Sequence, residues 1–322
     1  MRILKNILLC AFIALCVLSL VSCTHSGYCG AKGNKHNVKW KLDGEGTLTI
    51  SGTGEMASYS DVLGNPAPWG SSEASKKTIK KVVIEDGVTN ISEQAFRWCS
   101  NITEVVIPDS VTDIGGGAFC FCSSLIKVNI PENVTILHMG TFSGCTNLTE
   151  IVIPDSVQTV ETLAFDGCTN LKNVTIPENL TDFGGNPFKD TALSDKKMKQ
   201  NELLIINNIL IDGSKCIGDI VIPDGVTKIG DSAFDRVVDD NEGLISVTLP
   251  DSVETIGKCA FSRCPNLERI NIPENLKTID DYAFFQCKKL KDKLILPESV
   301  EYIGKNVFKC SDAIWVSPIS LP

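Results

Sequence analysis

An apolar residue followed by proline and an acidic residue recurs eight times in this chain of 322 residues. The first four prolines follow one another at a constant step of 23, the fifth comes after twice that step, and the later steps are 27, 23 and 24. A fixed period of this size indicates one structural unit stacked on itself. The prolines are Pro108, Pro131, Pro154, Pro177, Pro223, Pro250, Pro273 and Pro297. We therefore predict a repeat solenoid with coils of about 23 residues over residues 79–322, ending in a cap at about 311–322.

The residues before each proline predict a β-strand. In one coil Ile151 and Ile153 alternate with Val152, which is the period-two pattern of a strand with one buried face. Strands of successive coils then pair as a parallel sheet, with one short parallel strand per coil. Proline has no N–H to donate, so it ends the pairing at the same point of every coil.

A phenylalanine recurs at one position of the coil and predicts a spine of stacked rings through the array. Burial of each ring contributes roughly 1.5–3 kcal/mol. The nine rings are Phe96, Phe119, Phe142, Phe165, Phe188, Phe234, Phe261, Phe284 and Phe308.

Cysteine follows three residues after this phenylalanine in six coils. A metal or redox ladder is one interpretation, since an exported chain permits disulfides. Side chains at one position of stacked coils point in parallel, however, which suits disulfide geometry poorly. We interpret these residues as small buried thiols in the core: Cys99, Cys122, Cys145, Cys168, Cys264 and Cys287.

The N-terminal segment predicts export. Arg2 and Lys5 precede an uncharged, mostly apolar run over residues 7–20, which is shorter than the ~20 residues of a membrane-spanning helix. We predict a signal peptide at residues 1–22, followed by Cys23. The sequence Leu20-Val21-Ser22-Cys23 resembles a bacterial lipobox, in which the cysteine is acylated and becomes the first residue of the mature chain. An ordinary signal peptide that contains a cysteine is the alternative.

Charge and composition narrow the function. Cleavage removes two basic residues, which leaves 28 basic and 39 acidic residues and a net charge of −11. This sign disfavours nucleic acid as a partner. The three histidines, His25, His36 and His138, stand apart in the sequence, so no catalytic constellation is predicted. We predict no enzyme activity, cofactor or metal. We interpret the acidic residue after each proline as one that caps its own turn, with Ca²⁺ binding by the row of acids as the alternative.

Two segments depart from the regular coil. Residues 23–78 precede the array and predict a lipidated N-terminus and a β-rich leader that covers the exposed first strand. Residues 189–212 lack the proline-acid signature, yet the spacing across them is still twice the regular step, so they predict a divergent coil and not a linker.

The repeat also resembles a known family. The unit from Ile153 to Val174, with its pattern I-P-x-x-V-x-x-I-G-x-x-A-F-x-x-C-x-x-L, resembles the leucine-rich repeat of bacterial BspA-like surface proteins. In that family a Ser/Asn column hydrogen-bonds neighbouring coils. Here the column is Ser110, Asn133, Ser156, Asn179, Ser252 and Asn275. The resemblance implies surface display and binding, with adhesion to host tissue or other cells.

A binding face is predicted on the sheet. Six residues occupy two outward columns on three neighbouring strands and form a surface of mixed charge and exposed aliphatic side chains. We call them the sheet patch: Lys127, Asn129, Glu150, Val152, Asn173 and Thr175. An ordinary solvated sheet surface is the alternative.

These features predict a monomeric surface adhesin, lipid-anchored in the cell envelope, with the outer membrane and cell surface as its location. Its expected partner is a protein of a host or neighbouring cell. The alternatives are a glycan-binding accessory lipoprotein and a structural envelope protein. A glycan platform needs exposed aromatic residues, and Trp98, Trp315, Tyr282 and Tyr302 are scattered along the sequence.

Overall fold

The computed structural model describes residues 25–60, 64–70, 72–193, 202–235, 243–291, 293–311 and 314–316. Within these ranges the chain winds as a β-solenoid of stacked coils with parallel strands, which confirms the predicted fold class. Two short helical segments, Pro68–Gly70 and α1 (Glu73–Lys76), precede the first coil.

Three antiparallel strands cover the N-terminal edge of the solenoid: β1 (His25–Tyr28), β2 (Val38–Leu42) and β3 (Thr47–Gly52). Strand β3 pairs in parallel with β4 (Lys81–Ile84), so the unpaired N–H and C=O groups of that first coil are covered. Trp69 closes the core at the same end. It is buried, stacks on Phe96 with 5.4 Å between ring centroids, and donates its indole N–H to the Ala95 carbonyl at 2.9 Å.

The strands that precede the eight prolines lie on one side of the solenoid, and we call them, together with the strands β4 and β24 that pair beside them, first-side strands. Val82, Val105 and Val128 stand beside one another on successive strands and point inward. The first-side strands are β4, β6 (Glu104–Val106), β8 (Lys127–Val128), β10 (Glu150–Val152), β12 (Asn173–Thr175), β16 (Gly218–Val221), β18 (Leu244–Thr248), β20 (Arg269–Ile270), β22 (Lys293–Ile295) and β24 (Ile314–Val316).

Each regular coil carries a second strand that the sequence pattern does not predict. The chain turns at the proline, where the Val111 N–H donates to the Pro108 carbonyl at 3.1 Å, and enters a strand of two residues. These second-side strands pair in parallel with one another. They are β5 (Asn90–Ile91), β7 (Asp113–Ile114), β9 (Ile136–Leu137), β11 (Thr159–Val160), β13 (Asp182–Phe183), β15 (Ile209–Asp212), β17 (Lys228–Ile229), β19 (Thr255–Ile256), β21 (Thr278–Ile279) and β23 (Tyr302–Ile303).

Polar side chains link neighbouring coils at the turn between the two strands. The Ser110 hydroxyl donates to the Val88 carbonyl at 2.9 Å, and the Asn133 amide donates to the Asp109 carbonyl at 2.8 Å. The other members of the predicted Ser/Asn column bond the preceding coil in the same way: Ser156, Asn179, Ser252 and Asn275. The predicted role of this column is confirmed.

The phenylalanine spine forms, but as two stacks. In the first, Phe96 to Phe188 continue from Trp69 with centroids 5.3–5.6 Å apart and interplanar angles of 6–10°. In the second, Phe234 to Phe308 are spaced by 5.0–5.3 Å. The buried core divides at the same place, into clusters that meet at Leu210 and Ile211.

The divergent coil explains this division. Strand β14 (Leu204–Ile206) pairs antiparallel with β15 through a turn at Asn207 and Asn208, both at positive φ. The Gly213 N–H then donates to the Ala233 carbonyl, as the Phe234 N–H donates to Ala260 in the next coil. Gly213 therefore occupies the spine position. A Cβ there would overlap the Phe234 ring, so this coil has no room for another ring.

Candidate functional site

The structure exposes all six residues of the sheet patch on three neighbouring strands, and it joins four of them in one hydrogen-bonded ladder. Strands β10 and β12 pair so that Glu150 stands beside Asn173 and Val152 beside Thr175. Paired strands lie about 4.8 Å apart, so these four side chains form one contiguous surface. Lys127 and Asn129 belong to the preceding coil, whose strand β8 is the last of its hydrogen-bonded sheet and is not in the ladder of β10.

Asn129 differs from the other members of the patch because its amide is engaged within the protein. Its Oδ1 accepts the Ile107 N–H at 3.0 Å, and its Nδ2 donates to the Ile107 carbonyl at 2.6 Å. At the equivalent position two coils later, the backbone carbonyl of Thr175 accepts the Ile153 N–H at 3.0 Å. The Asn129 side chain thus replaces a backbone partner of the sheet. Asn271 does the same for Leu249, and strand β20 before it also ends a sheet.

The outward column of the first-side strands carries exposed aliphatic side chains in several coils, separated by polar members such as Asn129 and Thr175, and we call this column the exposed aliphatic strip. Val152 is 63% exposed, Val221 71% and Ile295 66%, and Val106 is also exposed. Each stands between two inward-facing residues of its strand. Apolar side chains in such a row are available for contact with another molecule.

The charged column beside this strip is only partly paired. On β4 and β6 the Lys81 ammonium lies 2.9 Å from the Glu104 carboxylate, which is the cross-strand pairing expected of neighbouring opposite charges. Lys127 and Glu150 form no ion pair within the described part of the chain. The middle of the solenoid therefore presents unpaired charge next to exposed aliphatic surface.

The cysteine column is part of the core. The thiol of Cys145 lies 3.2 Å from the Phe119 carbonyl and that of Cys168 lies 3.1 Å from the Phe142 carbonyl, so each thiol donates to the preceding coil. Burial raises the pKa of Cys145 well above its ordinary value, which disfavours the reactive thiolate. The described cysteines form no disulfide, and no group of three or more His, Cys, Asp or Glu side chains that could hold a metal ion occurs among the residues that the structure describes.

The acidic column lies in solvent at the turns that follow the prolines. Its members are exposed: Asp86, Asp109, Glu132, Asp155, Glu178, Asp224, Asp251, Glu274 and Glu298. In each of these turns from Pro108 onward, the residue three positions after proline donates its N–H to the proline carbonyl. The acids thus occupy the first inner position of a β-turn.

A second surface feature was not found by sequence reasoning. On the side between each second-side strand and the next first-side strand, which we call the third side, Trp98 and Phe121 stack with centroids 3.9 Å apart and an interplanar angle of 12°. Both stand two residues after a spine phenylalanine, and Gly144 and Gly167 follow at that position. Aligning the coils at this position reveals two aromatic residues and then two glycines, which is the signal that could have found the pair.

This pair forms one end of a cavity of about 290 Å³. Gly144 and Gly167 also line it, together with Ser143 and Asp166. Burial raises the pKa of Asp166, while the positive charge of the nearby Lys189 opposes that shift. We call this feature the aromatic groove.

The predicted signal peptide at residues 1–22 and the predicted lipidation site Cys23 lie outside the described residues, as does most of the predicted cap at about 311–322. None of the described helices is long and apolar enough to cross a membrane.

Solved structures of several bacterial repeat proteins are similar to this chain. A leucine-rich cell surface protein from Faecalibacterium prausnitzii is 26% identical, covers 92% of this chain and 96% of its own, and has a TM-score of 0.40. A leucine-rich repeat protein from Eubacterium ventriosum is 21% identical over 92% and 97%, with a TM-score of 0.38. The pneumococcal vaccine antigen PcpA is 20% identical over 87% and 79%, with a TM-score of 0.41.

A comparison with curated protein sequences finds no match. The family model described as the BspA type leucine-rich repeat region (6 copies) matches residues 71–194, 138–239 and 205–316. Together these matches cover residues 71–316, including the divergent coil and Gly213. The chain belongs to the BspA-type leucine-rich repeat family.

Proposed function

We propose that this protein is a non-catalytic surface adhesin that binds a protein of a host or neighbouring cell through its first-side strands. The observation that carries the proposal is the exposed aliphatic strip, of which Val152 is 63% exposed beside the unpaired charge of Glu150. Protein interfaces combine such an apolar centre with a polar rim. Membership in a family named for a surface protein supports display outside the cell.

The solenoid favours this use of the surface. Strands β10 and β12 are held by the regular coil beneath them, where Ile151, Leu148 and Phe165 are buried. A rigid surface loses less conformational entropy on binding than a loop does. The sheet patch is therefore preorganised for a flat protein partner.

The test is a double substitution at the centre of the patch, Glu150→Lys with Val152→Asp, in a soluble form that begins after Cys23. Both side chains are exposed, so the fold should survive. Beads coated with the protein are applied to an epithelial cell layer, with and without prior protease treatment of the cells. We expect the double variant and the protease treatment each to reduce adhesion at least tenfold.

A matched control places the same types of change away from the strip. Glu132→Lys with Met139→Asp reverses one exposed charge and replaces an exposed apolar side chain, which is 60% exposed. This control should adhere like the unchanged protein. If both double variants adhere equally well, the binding face is not on the first-side strands. Adhesion that survives protease treatment of the cells would exclude a protein partner.

We also propose that the protein is tethered through a lipid on Cys23. Two or more acyl chains give stable membrane attachment, since each buried methylene contributes about 0.8 kcal/mol. Cys23→Ala should move the protein from the detergent phase to the aqueous phase in a phase-partition assay. Protease treatment of intact cells should release the solenoid if it faces outward, and full protection would contradict surface display.

A further inference from the structure

We propose that the aromatic groove on the third side binds a neutral pyranose ring of a glycan. This site is separate from the sheet patch and uses different residues, so it goes beyond the proposed protein adhesion. The residues that form the groove stand two positions after a spine phenylalanine. At this position Trp98 and Phe121 have φ angles of 66° and 60°. This left-handed conformation recurs in neighbouring coils and aligns the side chains in one row.

The row changes from rings to glycines after two coils. Phe121 leans over Gly144, because a Cβ on Gly144 would lie 2.5 Å from the Phe121 ring. The next position is Gly167, where a Cβ would meet only ordinary contacts at 3.7–3.8 Å. The stack of Trp98 and Phe121 is therefore followed by an open space beside Gly167 that an additional ring can occupy.

The groups around this space determine which ring fits. Trp98 is 46% exposed and, with Phe121, supplies an apolar aromatic wall. Asp166 also lines the groove, together with Ser143, and it is the charged residue among those that line it. The backbone N–H groups of the two glycines are already bonded within the solenoid, since Gly144 donates to the Asp166 carbonyl at 2.7 Å and Gly167 to the Lys189 carbonyl at 2.9 Å.

A pyranose matches both halves of the groove. Its C–H face packs against an aromatic surface, and its hydroxyls donate to a carboxylate. An aromatic ligand would leave Asp166 without a new partner, and an anionic sugar would be repelled by it. The volume of about 290 Å³ is at the lower end of small-molecule sites and suits one sugar residue with the rest of the chain in solvent.

The experiment uses the mature chain without Cys23 and a panel of immobilised neutral oligosaccharides that end in glucose, galactose, mannose or N-acetylglucosamine. One sugar ring should bind with a roughly millimolar dissociation constant, so multivalent display is needed for detection. Any glycan that binds is then titrated in solution with each variant. Phe121→Ala should weaken binding at least fivefold, because Phe121 is the ring that faces the open space, and Asp166→Asn should weaken it as well.

Filling the groove gives a second, independent variant. Gly167→Gln copies Gln286, which occupies the same row with a φ of 61°, so the backbone tolerates that side chain. The substitution should abolish binding and leave the thermal midpoint near that of the unchanged protein. Tyr302→Ala, which removes an aromatic residue that is 50% exposed elsewhere, is the matched control and should bind normally.

The outcomes separate this proposal from protein adhesion. Glu150→Lys with Val152→Asp should leave glycan binding unchanged, because the sheet patch lies on another side. Absence of binding to every glycan of the panel would overturn the proposal. So would binding that persists in both Phe121→Ala and Gly167→Gln, or a groove that binds choline in place of sugars, which would indicate cation–π recognition.

Discussion

Truncation of one spine ring should reveal how the coils depend on one another. Phe165 is fully buried and lies 5.5 Å from Phe142 and 5.4 Å from Phe188. Phe165→Ala removes the burial term of roughly 1.5–3 kcal/mol and two stacked pairs worth about 0.5–1.5 kcal/mol each, and leaves a cavity. We expect a loss of about 3–5 kcal/mol in the free energy of unfolding.

Phe308→Ala provides the comparison at the end of the second stack. Phe308 is only partly buried and stacks on Phe284 at 5.3 Å. Because Phe308 is partly exposed, its truncation should lose only about half of the burial term and cost roughly 1–2 kcal/mol. Phe188→Ala tests the stacking contribution separately. Phe188 is 1% exposed, but within the described part of the chain it stacks only on Phe165, so its truncation should cost less than that of Phe165.

The assay is equilibrium urea unfolding followed by circular dichroism. The midpoint and the slope are compared for each variant, because a solenoid that unfolds in parts would change the slope. Equal losses for Phe165→Ala and Phe308→Ala would refute the argument that a fully buried ring contributes more stability than a partly exposed one.

Two further predictions concern polar side chains. Asn129→Ala should lower the free energy of unfolding in urea by about 1–3 kcal/mol, because the N–H and C=O of Ile107 lose their side-chain partner. Thr175→Ala keeps the equivalent backbone bond and should change that free energy by no more than about 0.5 kcal/mol. Equal losses in the two variants would contradict the role of the Asn129 amide. Burial raises the pKa of Asp212 above 3.8, so the stability linked to its protonation is present below about pH 4 and is lost as the pH rises through the raised value. The Asp212 carboxylate accepts the Ser214 N–H at 2.8 Å, and Asp212→Asn keeps an acceptor there. The variant should unfold at a higher urea concentration than the unchanged protein at pH 7 but not at pH 3.5. A variant without this pH-dependent gain in stability would contradict a raised pKa for Asp212.

The regular coil could be predicted from the sequence because each of its contacts is made with the adjacent coil, one repeat away along the chain. The phenylalanine column, the cysteine column and the Ser/Asn column each repeat one residue type at one position, and the same contact recurs wherever the column is occupied. Phe119 and Phe142 stack as Phe142 and Phe165 do, and Ser110 bonds Val88 as Ser156 bonds Val134. The prolines mark the period, so the solenoid follows from the spacing alone.

The departures from the repeat depended on the tertiary structure. A second-side strand such as β7 has two residues, which is too short for a period-two pattern to distinguish it from a turn. Gly213 interrupts the spine only because hydrogen bonding places it at the register of Phe234. The sequence pattern predicts that Asn129 is an outward polar residue, but the stacking of its coil on the preceding one brings the backbone of Ile107 within hydrogen-bond distance of its amide.

The two candidate surfaces differ in the same way. The sheet patch was predictable because strand alternation fixes which residues face outward, and Glu150 and Val152 are exposed as expected. Trp98 and Phe121 lie one full repeat apart in the sequence and follow no alternation. Aligned coils place these two residues and the two glycines in one column, but only the three-dimensional packing of the side chains shows that the rings stack at 3.9 Å and that a groove lies beside Gly144 and Gly167, because the column is aromatic in just these two neighbouring coils and repeats no residue type.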